Sequence, residues 1–146
     1  MKIISANLNG IRSAASKHFF DWMVQTGADA ICVQELRAQE SDMSKDMLMP
    51  EGYKGYFHCA QRKGYSGVGI YTRHQPQQVV MGLGNEDFDA EARYIRLDFE
   101  HVTVVSVYVP SGSSGEERQS FKFRFLDEFF PFLQNLLNEK RQVILC

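Results

Sequence analysis

The sequence predicts a mixed α/β (α+β) fold in which one mixed β-sheet is flanked by helices. Two parts of the chain carry this prediction. Residues 2–35 alternate strand, helix and strand, a pattern typical of βαβ units. From Tyr53 to Val109, short strands follow one another with turns between them, which favours antiparallel or mixed pairing.

The segment Ala28–Glu35 is predicted to form a strand covered on both faces. Gly27 precedes the apolar run, which ends abruptly in Gln34 and the acid Glu35. Short apolar runs bounded in this way are typical of buried strands. Because open α/β sheets bind ligands at the carboxyl ends of their strands, Glu35 stands where a ligand could bind. Taken alone, a solvated carboxylate that starts a loop is the simpler interpretation.

Turn and cap residues predict the elements around this strand. Lys2–Ala6 is expected to be a strand that runs into the turn Asn7–Gly10. Ser13 is suited to cap a helix that Gly27 ends. A second, short helix is predicted over Glu40–Met49.

The second half of the chain predicts several short strands and then a long helix. The predicted strands are Lys54–Cys59, Gly67–Thr72, Gln78–Gly82 and the hairpin of Tyr94–Phe99 with Val102–Val109. Ser114 and Glu117 fit a capping box at the start of the helix. Pro131 is expected to kink or split the helix, and Lys140 and Arg141 suit its C-terminal end.

The long helix carries an apolar stripe that predicts burial against the core. Its members recur at helical spacing, and they are Phe125, Phe129, Leu133 and Leu137, widened by Leu126, Phe130 and Leu136. A new strand is predicted to begin in residues 142–146. Because that strand has no polar exit, we expect the chain to be truncated at its C-terminus.

Composition predicts one cytoplasmic domain of ordinary globular type. Hydrophobic residues make up 44% of the 146 residues, charged residues 23%, and the net charge is −2. Such a charge argues weakly against a nucleic-acid partner and does not exclude one. The cysteines, Cys32, Cys59 and Cys146, are too far apart to suggest a zinc site or a disulfide framework. No apolar run approaches the ~20 residues that span a bilayer, so no membrane partner is expected.

Polar side chains follow three of the predicted strands. Asn7 follows the first strand, Glu35 ends the second, and Tyr108 lies near the end of the hairpin. If these strands lie together, an amide, a carboxylate and a phenol converge at one sheet edge. Mg²⁺ prefers such oxygen ligands and polarises phosphoryl groups, so the combination suits phosphodiester hydrolysis.

Four motifs, in order, resemble the exonuclease III / abasic-site endonuclease family of the endonuclease–exonuclease–phosphatase superfamily. The motifs are Asn7-Leu8-Asn9-Gly10-Ile11-Arg12, Gln34-Glu35, Gly64-Tyr65-Ser66-Gly67-Val68-Gly69 and Val107-Tyr108-Val109-Pro110. The resemblance runs from residue 2 to residue 146. It implies half of a four-layer αββα sandwich, to which this chain would contribute about one sheet and its covering helices.

The resemblance also implies roles for individual residues. Glu35 matches the metal-binding glutamate, Asn7 the asparagine that organises the metal site, and Tyr108 the catalytic tyrosine that contacts the scissile phosphate. The residues implied to contact DNA are Asn9, Arg12, Tyr65, Gly67 and Arg93. Each has a structural alternative: Arg93, for example, could simply pair with Glu91 or Asp98.

The chain departs from the family pattern in two places. Ser111-Gly112-Ser113 stands where relatives have Asn or Gln near the phosphate. The family's Gly-Asp-x-Asn and Asp-His segments would lie beyond Cys146. Residues 1–146 are therefore predicted to be the N-terminal part of a single domain that lacks its C-terminal half, and to be inactive alone.

The resemblance implies a DNA repair nuclease that depends on Mg²⁺ or Mn²⁺. Its partner would be duplex DNA, cut 5′ to abasic sites or shortened from 3′ ends. Basic residues that could contact the DNA backbone are Arg12, Arg62, Lys63, Arg118, Lys122 and Arg124. Two alternatives remain open: a superfamily phosphatase acting on a non-DNA phosphoester, and a DNA-binding module without catalysis.

Overall fold

The computed structural model describes residues 1–139 and 141–146, which form eight strands, five α-helices and one 3₁₀ turn. In chain order these are β1 Ile3–Asn7, α1 Ile11–Ser16, α2 Phe19–Thr26, β2 Ala30–Gln34, the 3₁₀ turn Glu40–Asp42, α3 Lys45–Leu48, β3 Lys54–His58, β4 Val68–Thr72, β5 Gln78–Met81, α4 Glu86–Ala90, β6 Tyr94–Asp98, β7 Val102–Val107, α5 Glu116–Asn138 and β8 Gln142–Leu145. The predicted mixed α/β class is confirmed.

The strands form two four-stranded mixed sheets. In the first sheet the order is β1-β2-β4-β3, with β1 parallel to β2 and the other pairs antiparallel. In the second sheet the order is β5-β6-β7-β8, with β7 parallel to β8. The central strands β2 and β4 are buried throughout, as expected for strands covered on both faces.

Three apolar clusters show that the elements stack in four layers. One cluster lies between the helices α1–α3 and the first sheet, and includes Met23 and Tyr71. A second lies between the two sheets, around Cys32 and Ile95. The third lies between the second sheet and α5, around Phe125. The layer order is therefore helix, sheet, sheet, helix.

The expectation of one sheet was wrong, because the chain supplies four strands to each of two sheets. The chain changes sheets between β4 and β5, where Pro76 interrupts the run of strands and Gln77 N donates to the Asp98 carbonyl at 2.8 Å. Alternating apolar residues predict that a strand forms, but they do not identify its neighbour. Packing between distant segments makes that choice.

The predicted first helix is two helices. The helix α1 begins at Ile11, directly after Gly10, so that Ser13 lies inside it instead of capping it. His18 adopts a left-handed conformation (φ 61°) and separates α1 from α2. Gly27 ends α2 in the left-handed conformation, as predicted. The helix predicted over residues 40–49 is likewise divided, into the 3₁₀ turn and α3.

The long helix α5 continues through Pro131 as one element of 23 residues, although we expected a kink or a split. Buried residues on both sides of the proline, Phe129 and Leu136, hold the two parts on the second sheet. The predicted capping box is absent from the described contacts: α5 begins after Gly115 with no side-chain cap. Of the predicted basic end, Lys140 lies outside the described residues.

No helix in the described part of the chain combines the length and the apolar character needed to cross a membrane.

Candidate active site

Three loops meet at the end of the first sheet, and main-chain hydrogen bonds hold them together. Gly10 N donates to the Glu35 carbonyl at 2.8 Å, and Ile11 N donates to the Leu36 carbonyl at 2.9 Å. On the other side, Leu36 N donates to the Gly67 carbonyl at 3.1 Å. The loop that follows β2 is therefore fixed between the loop after β1 and the loop before β4.

Unusual backbone conformations concentrate at this place. Of the six described non-glycine residues with positive φ, five belong to these loops or to the turn before β6: Asn9, Glu35, Arg37, Ser66 and Ala92. A left-handed conformation costs an L-residue about 1–2 kcal/mol, so surrounding structure must compensate for it. The main-chain hydrogen bonds between the loops supply that compensation at Glu35.

The Glu35 carboxylate is the centre of the polar cluster. Asn7 Nδ2 donates to Glu35 Oε1 at 2.8 Å, while Asn7 Oδ1 accepts from the Asn9 main chain at 3.0 Å. Arg37 forms an ion pair with the other carboxylate oxygen. Tyr108 lies near this carboxylate and helps to lower the pKa of Glu35. The structure therefore places the amide, the carboxylate and the phenol in one neighbourhood, in which a hydrogen bond joins Asn7 to Glu35.

These contacts keep Glu35 ionised. Partial burial opposes ionisation, but the hydrogen bond from Asn7, the nearby Tyr108 hydroxyl and the charge of Arg37 outweigh it, so the pKa of Glu35 is lowered. The pKa of Tyr108 is raised by its own partial burial and by the neighbouring Glu35 carboxylate. At neutral pH the site therefore combines a carboxylate with a protonated phenol that can donate a hydrogen bond.

The three residues come from both sheets, not from one sheet edge as predicted. Asn7 ends β1 and Glu35 follows β2 in the first sheet, whereas Tyr108 follows β7 in the second. Polar contacts behind the site tie the sheets together: Gln34 Nε2 donates to Ser106 Oγ at 3.0 Å, and Ser106 Oγ donates to the Val33 carbonyl at 3.2 Å. The inter-sheet packing is what brings Tyr108 to Glu35.

A second polar cluster, which we call the arginine cluster, consists of Tyr65, Glu91, Arg93 and Arg118. Arg93 Nη1 donates to the Tyr108 carbonyl at 3.0 Å, and Arg93 Nη2 donates to the Tyr65 hydroxyl at 3.0 Å. Glu91 accepts from both Arg93 and Arg118. Burial opposes ionisation of Glu91, but these two guanidiniums outweigh it and lower its pKa. The cluster therefore links the catalytic candidate Tyr108 to the loop that carries Tyr65.

The residues predicted to contact DNA divide by exposure. Asn9 and Arg12 are exposed, and Tyr65 is half-buried. Gly67 is buried with φ +89°, and an added Cβ would lie 3.1 Å from Leu36 Cβ, so the turn itself requires glycine. Arg93 is only 3% exposed. Direct contact of Arg93 with DNA does not fit this burial, and its pairing with Glu91 is the structural alternative considered above.

The basic residues expected to contact DNA fall into two groups, those that pair with an acidic side chain and those that are exposed. Arg118 pairs with Glu91, and Arg124 lies 3.5 Å from Asp87, so neither is wholly available to a ligand. Arg62 is exposed, and its guanidinium lies over the Tyr65 ring at 5.3 Å from the centroid. Lys63 beside it is exposed as well. The loop of Tyr65 therefore carries two exposed positive charges of its own, on Arg62 and Lys63.

Sequence reasoning missed two residues of the site. Arg37 lies two positions after Glu35, beyond the end of β2, where both residues adopt left-handed conformations and pair with each other. The sequence indicates a loop at this place but not this ion pair. Glu91 was noted only as a possible partner of Arg93, yet it binds two arginines. The sequence gives only a weak indication that Glu91 pairs with Arg118, because the two residues are 27 positions apart.

The site offers oxygen donors for part of a divalent cation site. Among residues 1–139 and 141–146, no group of three or more His, Cys, Asp or Glu side chains is placed to hold a metal ion. The site does offer one ionised carboxylate, from Glu35, with the Asn7 amide beside it. Mg²⁺ commonly binds one or two carboxylates and completes its shell with water and substrate phosphate, so these donors fit part of a Mg²⁺ site.

Sequence comparison places the chain in a known family. The profile of the Endonuclease/Exonuclease/phosphatase family matches residues 4–146. The chain belongs to this family. The resemblance to the exonuclease III / abasic-site endonuclease branch is confirmed by two relatives that match the entire chain. An exodeoxyribonuclease from Bacillus subtilis is 37% identical, over 100% of this chain and 57% of that protein. A DNA-(apurinic or apyrimidinic site) endonuclease from Dictyostelium discoideum is 33% identical, over 100% of this chain and 40% of that protein.

Solved structures of this family have the same fold. An AP endonuclease from Archaeoglobus fulgidus has a TM-score of 0.86 and 27% identity, over 100% of this chain and 56% of that chain. The catalytic domain of Xenopus laevis APE2 has a TM-score of 0.85 and 30% identity, over 99% of this chain and 57% of that chain. The chain thus spans about half the length of the relatives that it matches.

Proposed function

We propose that this family member carries the N-terminal part of the active site of a metal-dependent DNA repair nuclease. Its reaction would be hydrolysis of a phosphodiester bond in duplex DNA, 5′ to an abasic site or at a 3′ end. The observation that carries the proposal is the Glu35 carboxylate, bonded to Asn7, beside Tyr108 and at the junction of both sheets. The relatives named exodeoxyribonuclease and AP endonuclease support the same substrate.

Each residue has a defined task in this proposal. Glu35, with Asn7 beside it, would hold Mg²⁺ or Mn²⁺, and the bound ion would polarise a phosphoryl oxygen. Asn7 holds the carboxylate in position through its hydrogen bond to Oε1. Tyr108, whose raised pKa keeps it protonated, would donate a hydrogen bond to the scissile phosphate. Arg12 and Arg62, both exposed, would contact the DNA backbone.

A chimeric protein tests this proposal. Residues 1–146 are fused to the C-terminal part of the B. subtilis exodeoxyribonuclease that lies beyond the matched region. The substrates are a duplex with one abasic-site analogue and an undamaged duplex with labelled 5′ ends. We expect Mg²⁺-dependent cleavage that a chelator stops, whereas the 146-residue chain alone is expected to give none or a trace.

Glu35→Gln is expected to lower the cleavage rate of the chimera by at least about 100-fold, since the metal loses its charged ligand. The matched control is Glu51→Gln, which makes the same change at an exposed position outside the site. A folded chimera that cleaves no DNA, or that cleaves equally well with Glu35→Gln, would contradict the proposal. Release of phosphate from phosphomonoesters without DNA cleavage would favour the phosphatase alternative.

A further inference from the structure

One carboxylate in the arginine cluster holds two guanidinium groups. Glu91 Oε2 accepts from Arg93 Nε at 2.7 Å and from Arg118 Nη2 at 3.0 Å, and Glu91 Oε1 accepts from Arg118 Nη1 at 2.8 Å. Such charge-assisted pairs with two parallel bonds have a fixed geometry. Glu91 therefore determines where both arginines lie.

Both arginines in turn hold tyrosine side chains of the proposed site. The Tyr65 hydroxyl accepts from Arg93 at 3.0 Å and from Arg118 at 3.3 Å. The guanidinium of Arg93 lies 4.9 Å from the ring centroid of Tyr108 and 5.8 Å from that of Tyr65. The main chains of Arg93 and Tyr108 are also bonded, since Tyr108 N donates to the Arg93 carbonyl at 2.9 Å. Arg93 thus lies between the two rings and contacts both.

The burial of Arg93 makes its partner essential. With 3% exposure, its charge has little water to solvate it, and a buried charge without a partner is costly. The Tyr65 hydroxyl and the Tyr108 carbonyl are neutral, so Glu91 supplies the compensating charge. The cluster carries two positive charges and one negative charge, and the excess positive charge lies beside both tyrosines.

We propose that Glu91 is a positioning residue of the nuclease site, which acts through Arg93 and Arg118 to fix Tyr65 and Tyr108 for contact with the DNA backbone. Glu91 would act without touching the metal or the phosphate. The cluster joins four separate segments: the turn before β6, the start of α5, the loop before β4 and the end of β7. This inference rests on the proposed function for its consequence in DNA binding, but its structural part can be tested without DNA.

The first measurement is nuclear magnetic resonance of the tyrosine rings in the free 146-residue chain, with ¹³C-labelled tyrosine. In Glu91→Gln the ring signals of Tyr65 and Tyr108 are expected to shift. Signals of tyrosines outside the cluster, such as Tyr53, are expected to stay. Glu86→Gln is the matched control, because Glu86 is exposed on the neighbouring helix α4. Arg118→Gln serves as a second, milder variant, since it leaves the pair of Glu91 with the buried Arg93 in place.

The second measurement is the affinity of the chimera for an abasic-site duplex, in the presence of chelator so that no cleavage occurs. Glu91→Gln is expected to weaken binding about tenfold, the loss that corresponds to one charge-assisted hydrogen bond. In a Tyr65→Phe background the same change is expected to have a smaller effect, because the hydroxyl that the cluster holds is already gone. A purely structural role of Glu91 would give equal losses in both backgrounds.

Different results would contradict the positioning role of Glu91 and the proposed nuclease function. Ring signals of Tyr65 and Tyr108 that do not move in either variant would overturn the inference, whatever happens with DNA. Equal losses of affinity in the two backgrounds would overturn it too. Absence of DNA binding by the unsubstituted chimera, with the ring shifts present, would instead contradict the proposed function.

Discussion

Two regions of the molecule are held together in different ways: the aromatic layer under α5, and the rim of the candidate active site, by which we mean the loop that carries Glu35 and Arg37. In the aromatic layer, Phe125 is fully buried, stacks on Phe129 at 5.6 Å between centroids and meets Phe88 edge to face at 5.3 Å. At the rim, Glu35 and Arg37 have left-handed backbones and paired charges. Apolar packing is non-directional and tolerant, whereas the rim depends on individual hydrogen bonds.

The comparison shows how a strained site can persist. The rim has unfavourable backbone conformations, which the packed layers on either side must offset. Polar contacts between the sheets, such as the hydrogen bond from Gln34 to Ser106, lie behind the rim. Substitutions in the aromatic layer should therefore affect stability, and substitutions at the rim should affect binding and chemistry.

The largest effect is expected for Phe125→Ala. Removal of a fully buried ring leaves a cavity, so the free energy of unfolding is expected to fall by about 3–5 kcal/mol. Phe130→Ala, on the same helix but 61% exposed, should change it by no more than about 0.5 kcal/mol. Urea denaturation of both variants, followed by the single tryptophan Trp22, measures the difference. Similar losses in the two variants would show that α5 does not pack as described.

A smaller effect, dependent on pH, is expected for Glu91→Gln. Because the folded state lowers the pKa of Glu91, its contribution to stability is present above the unfolded pKa, near 4.3, and is lost as the pH falls through the folded pKa. At pH 7 the variant should be less stable by about 1.5–3 kcal/mol, the range for hydrogen bonds to a charged group. Denaturation at a series of pH values should show this difference shrinking in acid. If the difference in the free energy of unfolding stayed constant down to pH 3, the ion pairs of Glu91 with the two arginines would not be its cause.

The smallest effect is expected for His18→Gly, and it should be stabilising. His18 has a left-handed backbone outside the rim and an exposed ring that pairs only at the surface, with Asp21. Relief of about 1–2 kcal/mol of strain, less the entropy cost of glycine, should leave a gain of about 0.5–1 kcal/mol. Thermal unfolding tests the gain, with DNA affinity expected to stay unchanged. A loss of stability would mean that the ring of His18 contributes more than its surface contact suggests.

Much of the fold could be predicted from the sequence because its signals are local. The run that ends in Glu35 is a buried strand, and the hairpin across Glu100 and His101 is present. Of the apolar stripe predicted on α5, Phe125 and Phe129 line the core, whereas Phe130 and Leu137 are exposed, so for these two the prediction of burial was wrong. The helix boundaries were less predictable: His18 divides one expected helix and Pro131 fails to divide another. In both cases tertiary packing outweighed local preference.

The sequence by itself determined which residues stand at the strand ends. It therefore predicted Asn7, Glu35 and Tyr108 as site residues, and its motifs indicated the family. Only the tertiary structure decided that these residues come from two sheets, that Arg37 turns back onto Glu35, and that Glu91 holds two arginines. The physical reason is the distance along the chain over which each interaction acts. Strand and turn preferences act over a few residues, whereas sheet partners, left-handed turns and the pairing of Glu91 with Arg118 depend on contacts between segments distant in the chain.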